Sequence, residues 1–172
     1  MAWQQPSDPI ALGIVLVTGV IASTIDLRTR RVPNLLTASV TASGLALAAL
    51  RADAVTFGMA CAGCLAGLVL LLPGHFLGAT GAGDVKLFAA LGTLLGPKGI
   101  AFAWVYTALA GGVLAGVVAF SRASFSRTVE RTATLVATGG ANLADIERPT
   151  SNNRFAYAPA IAIGTLAVAL GL

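Results

Sequence analysis

Long apolar runs, separated by short connections rich in charge, glycine or proline, leave this chain few ways to fold. Six such segments stand out: about Pro9 to Ile25, Asn34 to Leu50, Ala54 to Leu72, Val85 to Leu95, Ile100 to Phe120 and Phe155 to Leu172. A helix needs roughly 20 apolar residues to cross the hydrocarbon core of a bilayer. Only 10% of the 172 residues are charged and 56% are hydrophobic, too little charge to cover a domain that faces water on all sides. The pattern predicts an all-α fold, a polytopic membrane helix bundle of about six transmembrane helices. It predicts one membrane-embedded domain over residues 1–172, with a single long connection at about 121–154. The fourth segment is the short one, spanning only about 17 Å as a helix. Either it starts deeper, is shielded by neighbours or thins the bilayer locally, or it forms a re-entrant hairpin with the fifth segment, although Ile100–Phe120 is long enough to span alone.

Charge is distributed unevenly along this topology. With six crossings, the connections after helices one, three and five share one side. That side carries Arg28, Arg30, Arg31, Lys86, Arg122, Arg127, Arg131, Arg148 and Arg154, against Arg51 and Lys98 on the other. Such a bias marks the first side, including the 121–154 loop, as cytoplasmic. The net charge of +4 is thus explained by topology, and nucleic-acid binding is not expected. Met1 to Pro9 holds no Lys or Arg, whereas a secretory signal begins with basic residues; the first apolar run is expected to be a retained helix. Cys61 and Cys64 sit within an apolar run and read as small packing residues. Gly63-x-x-x-Gly67 and Gly112-x-x-x-Gly116 permit close helix approach.

Of the seven acidic residues, Asp26 and Asp84 stand apart, because each abuts a helix end on the predicted cytoplasmic side. Acids at a membrane edge are costly and mark function by default. The bland alternative pairs Asp26 with Arg28 or Arg30, and Asp84 with Lys86. Asp26 is followed by Val32-Pro33-Asn34, in which Pro33 ends an extended connection and Asn34 is suited to cap the next helix. Asp84 lies in Gly81-Ala82-Gly83-Asp84-Val85-Lys86-Leu87. Its glycines allow a sharp turn or close backbone approach, and Asp84 is expected at a helix N-terminus, where the dipole favours its charge.

These two motifs, in this order, resemble the type IV prepilin leader peptidases, membrane aspartyl peptidases of the Gly-x-Gly-Asp kind. Asp26 with Val32-Pro33-Asn34 matches the first part of the family pattern. Gly81, Gly83, Asp84, Lys86 and Leu87 match the second, and Tyr157-Ala158-Pro159 resembles a weaker feature. The resemblance extends from about Ile14 to Gly164. It is to the short, peptidase-only members that serve Tad/Flp-type pili or archaeal flagellin-like filaments, which have no cytoplasmic methyltransferase region. It implies Asp26 and Asp84 as the catalytic pair, and Gly81, Gly83, Lys86, Pro33 and Asn34 as residues that shape the site. It also implies no cofactor or metal, an inner-membrane location, and a prepilin or pseudopilin substrate cut after a glycine that follows a short basic leader. Two carboxylates sharing one proton can activate a water and protonate the leaving amine. A serine or cysteine mechanism finds little support, since His75 is the only histidine and no nucleophile motif accompanies it. The competing class is a non-enzymatic membrane protein using Asp26 and Asp84 structurally, either a small proton-coupled carrier or an assembly component of a secretion system.

Overall fold

In the computed structural model, which describes residues 8–50, 55–76, 80–121 and 157–172, every regular element is a helix. They are α1 (Pro9–Thr29), α2 (Asn34–Leu50), α3 (Phe57–Phe76), α4 (Ala82–Ser121) and α5 (Ala158–Ala169). Asp8 caps α1 by accepting from the Ile10 amide at 3.0 Å, and Pro9 follows where no amide is needed. At the other end Arg30 turns left-handed, φ 55° and ψ 30°, and its amide closes on the Asp26 carbonyl at 2.8 Å. The helix therefore runs a full turn beyond the expected end at Ile25, and Asp26 lies inside it. In α3 the helix continues past Pro73 to Phe76, and the Leu71 carbonyl near its end takes the Thr80 hydroxyl at 3.4 Å.

The helices are sorted as lipid demands. The buried residues of α1, Ala11, Val15, Thr18, Gly19, Ala22 and Asp26, form one stripe of mostly small or polar side chains. Leu16, Val17, Val20, Ile21 and Leu27 point outward. Lipid tails are as apolar as leucine, so large aliphatics gain nothing by turning inward, and small residues collect where helices meet. By length and composition α1, α3 and residues Ala82–Val117 of α4 qualify as membrane spans, whereas α2 and α5 are shorter apolar helices. The protein is thus a membrane protein of helical fold, although the expected count of six crossings is not reached on helix length. The expected 121–154 loop lies, beyond the last residue of α4, outside the described residues. Cys61 and Cys64 are free and half-buried in α3.

α4 contains two of the expected segments. Gly96 breaks it at φ 67° and ψ 177°, a backbone region only glycine occupies without strain, and Pro97 opens the second limb. The first limb, residues 82–95, is buried on nearly every side, with Val85, Leu87, Phe88, Leu91 and Leu94 in the core. A helix apolar all round belongs in the middle of a bundle, which explains how so short a segment persists: its surroundings are protein. Along the second limb, Gly99 meets Val168, Gly164 meets Thr107 and the Ala103 carbonyl, and Gly111 meets the ring of Tyr157. Numbers rising from 99 to 111 oppose numbers falling from 168 to 157, so this limb runs antiparallel to α5. Tyr157 lies within electrostatic reach of Asp84, where the first limb begins. The second limb therefore returns to the level of Asp84, and Gly96 is a reversal. Residues Gly112–Phe155 form a second unit, of which the described part is the end of α4.

Glycine permits the tightest of these contacts. A Cβ on Gly63 would strike the Gly92 carbonyl and come within 2.9 Å of the Gly96 backbone, and a Cβ on Gly67 would meet the Phe88 carbonyl at 2.9 Å. Gly44 of α2 is likewise pressed against Thr93. Among the described residues nothing packs against Gly112 or Gly116, so of the two expected glycine pairs only the first joins helices there. Gly63→Ala is expected to destabilise the bundle by about 1–3 kcal/mol, the usual cost of overpacking. Gly58→Ala, at a position with open space, should leave it unchanged. Denaturant unfolding in detergent micelles reads both.

Candidate active site

Asp84 is held by the start of its own helix. It is the third residue of α4, and its Oδ2 accepts the Gly81 amide at 3.0 Å while its own amide donates to the Gly81 carbonyl at 3.0 Å. This is the acid half of a capping box, satisfying an amide that helix geometry leaves without a partner. Both glycines of Gly81-Ala82-Gly83-Asp84 then have a steric reason. A Cβ on Gly81 would stand 3.1 Å from Asp84 Oδ2 and crowd the folded-back carboxylate. A Cβ on Gly83 would stand 3.1 Å from Val32 Cβ and 3.3 Å from the Val32 nitrogen, so Gly83 lets α4 start directly against the connection that follows Asp26. His75, exposed at the end of α3, places Nδ1 3.1 Å from the Thr80 carbonyl. The carbonyl can only accept, so the ring donates and braces the turn just before Gly81.

Asp26 is held by a different helix. Its Oδ2 accepts the Ala158 amide at 3.2 Å, the first amide of α5 and one with no partner inside that helix. Pro159 follows and has no amide to satisfy. A carboxylate at a helix N-terminus also meets the positive end of the helix dipole. The alternative pairings with nearby cations are replaced: the amide of Ala158 serves Asp26, and Lys86 Nζ donates to Asn34 Oδ1 at 3.1 Å. Asn34 is the first residue of α2, and the Pro33 carbonyl accepts the Thr37 amide at 3.3 Å to start that helix.

Asp26 and Asp84 are 5% and 7% exposed, and each lies within the other's electrostatic reach. Carboxylates this buried are rare in proteins unless they are paired or functional. The two sequence motifs are also joined physically, by the Lys86–Asn34 bond across 52 positions and by the Gly83–Val32 contact. Around this buried pair Arg28, Arg30, Arg31 and Lys86 are exposed, so one end of the bundle is both its acidic centre and its basic rim. Among the described residues no three His, Cys, Asp or Glu side chains gather as metal ligands would. Two neighbouring carboxylates with backbone donors are suited to acid–base chemistry on a water molecule. The amide of Ala158 is the contribution that sequence reading missed. Pro159 signals a helix start, but nothing local tells which acid that start receives.

No curated protein and no solved structure matches the chain at a significant level. The model of the type IV leader peptidase family matches residues 13–116, a span that holds Asp26, the Val32-Pro33-Asn34 connection and the whole Gly81–Leu87 motif, and ends before α5. The match covers more than half of the chain, and the chain belongs to the type IV leader peptidase family.

Proposed function

We propose that this peptidase is an aspartyl endopeptidase that removes the short basic leader of prepilin or pseudopilin substrates at the cytoplasmic edge of the inner membrane. The observation that carries the reading is the placement of two buried carboxylates from distant parts of the chain, Asp26 and Asp84, within each other's electrostatic reach at one end of the bundle. Two carboxylates at close range share one proton. The ionised partner draws a proton from water, and the resulting nucleophile attacks the scissile carbonyl. The protonated partner hydrogen-bonds the carbonyl oxygen and then delivers its proton toward the departing nitrogen. A coupled pair titrates as a unit, so the two roles belong to the pair.

The membrane setting supports the substrate class. A prepilin keeps its charged leader in water and its apolar stem in lipid, so its cleavage site lies where those phases meet. The exposure of Arg28, Arg30, Arg31 and Lys86 supports a water-facing edge for the rim of the site, and the basic bias of that side favours the cytoplasm. The whole chain is then one multi-pass catalytic domain acting in pilus or related secretion systems.

In membranes that carry a co-expressed prepilin, Asp26→Asn and Asp84→Asn should each slow leader cleavage by at least about 10²-fold, with insertion and unfolding midpoint retained. Cleavage at the unmodified rate in either variant would sink the reading; loss of a proton or solute flux with cleavage intact would point to a carrier instead. Asn34→Leu and Lys86→Met should each cost about fivefold in cleavage, the kinetic equivalent of one net hydrogen bond of about 1 kcal/mol. The double variant should be no slower than either single, since both remove the same bond. Mobility-shift assays of leader processing over time measure all five variants.

A further inference from the structure

Tyr157 stands outside the residues that the family model matches, yet it is linked to both acids, to Asp26 through the next amide in the chain and to Asp84 through its charge. It is the residue before α5, with φ −93° and ψ −18°, and its side chain makes no capping bond to that helix. The next amide in the chain, that of Ala158, is the one that Asp26 accepts. Its side chain lies within electrostatic reach of Asp84. A shift of Tyr157 therefore moves the donor of one acid and the neighbour of the other.

The ring has a seat. A Cβ on Gly111 would fall 2.9 Å from Tyr157 Cε2 and 3.4 Å from both Cζ and the phenol oxygen. The first of these is closer than real Cβ contacts allow, so only glycine leaves room for the ring in this position. Gly111 lies on the second limb of α4, which the reversal at Gly96 brings back to the level of Asp84. The notch thus belongs to the element that the chain folds back to bring there.

We infer that Tyr157 is a positioning residue of the aspartate pair and that Gly111 is the notch that seats its ring, so that together they fix the alignment of Asp26 and Asp84. The inference rests on the aspartyl reading proposed above. Because the ring acts through the acids and not on the leader peptide, its displacement lowers the rate of the chemical step and leaves substrate binding nearly as it was. Misplacing reacting groups by an ångström or less is enough to cost one to two powers of ten in rate.

The test is the steady-state cleavage of a prepilin by the full chain in membranes, with kcat and KM separated. Gly111→Ala should lower kcat by about tenfold with KM within about twofold of the parent. Gly112→Ala, one residue on and facing open space among the described residues, should match the parent. Tyr157→Ala should lower kcat at least as far, and Tyr157→Phe, which keeps the ring in its seat, should restore most of that loss. The double variant Gly111→Ala with Tyr157→Ala should be no slower than Tyr157→Ala alone, since a notch without a ring has nothing to displace. An unchanged kcat in Gly111→Ala, losses that multiply in the double variant, or a Phe no better than Ala would each overturn the inference. Asp26→Asn and Asp84→Asn run beside them separate the two levels. If those variants cleave normally, or the parent cleaves no prepilin, the aspartyl reading fails and the inference with it. If they are inactive while Gly111→Ala is fully active, only the role of Tyr157 and Gly111 fails.

Discussion

Holding a carboxylate out of water costs several kcal/mol unless its oxygens find donors, and inside a lipid-solvated bundle water does not supply them freely. Both buried acids of this protein draw on the same source, the amides that every helix leaves without partners at its N-terminus. Asp84 takes one from Gly81 at the start of its own helix, and Asp26 takes one from Ala158 at the start of α5. The donors come from the backbone, so no substitution other than to proline removes them, and they do not add charge to the interior. The requirement then propagates outward. Two helix starts and one helix end must converge at the same level, and the remainder of the bundle is arranged so that they do.

Convergence depends on how closely helices can approach. The glycines of α3 let it lie backbone to backbone on the first limb of α4, while Gly83 lets the start of that limb touch the connection after Asp26. The second limb returns because Gly96 adopts a conformation closed to other residues, and it reaches the site at Gly111. In hydrocarbon, close van der Waals packing between small residues replaces the hydrophobic drive that assembles soluble bundles. The features that hold the helices together are consequently the same features that set the distance between the acids.

The basic rim has a complementary role. Arg28, Arg30, Arg31 and Lys86 lie exposed around the end of the bundle that buries the two acids, a sharp change of polarity over a short distance. One of them, Lys86, is tied to Asn34, so α4 and α2 are cross-linked at the rim and the wet edge is fastened to the dry centre. Asn34 was legible in the sequence as a helix-start residue, but its bond to Lys86 was not, because the two are 52 positions apart. His75 shows the same limit: its sequence says only that it stands one loop from Gly81, and the bond of its ring to the Thr80 carbonyl is a matter of tertiary structure.

By itself the sequence determined the class of solvent and the helical fold, and it singled out the two acids that the structure buries. Apolar run length, the break at Gly96-Pro97 and the Gly-x-Gly-Asp spacing are local properties, written in consecutive residues and governed by backbone sterics and transfer to lipid. The ends of α1 and α3 lie beyond the apolar runs that stop at Ile25 and Leu72: α1 closes only where Arg30 turns left-handed, and α3 continues through Pro73. Only the tertiary structure decided which amide receives Asp26, that the second limb of α4 comes back to the site, and that a tyrosine ring needs the space at Gly111. Those facts join residues from 46 to 132 positions apart, and a contact of that kind is fixed by the packing of whole helices, which no local pattern of residues encodes.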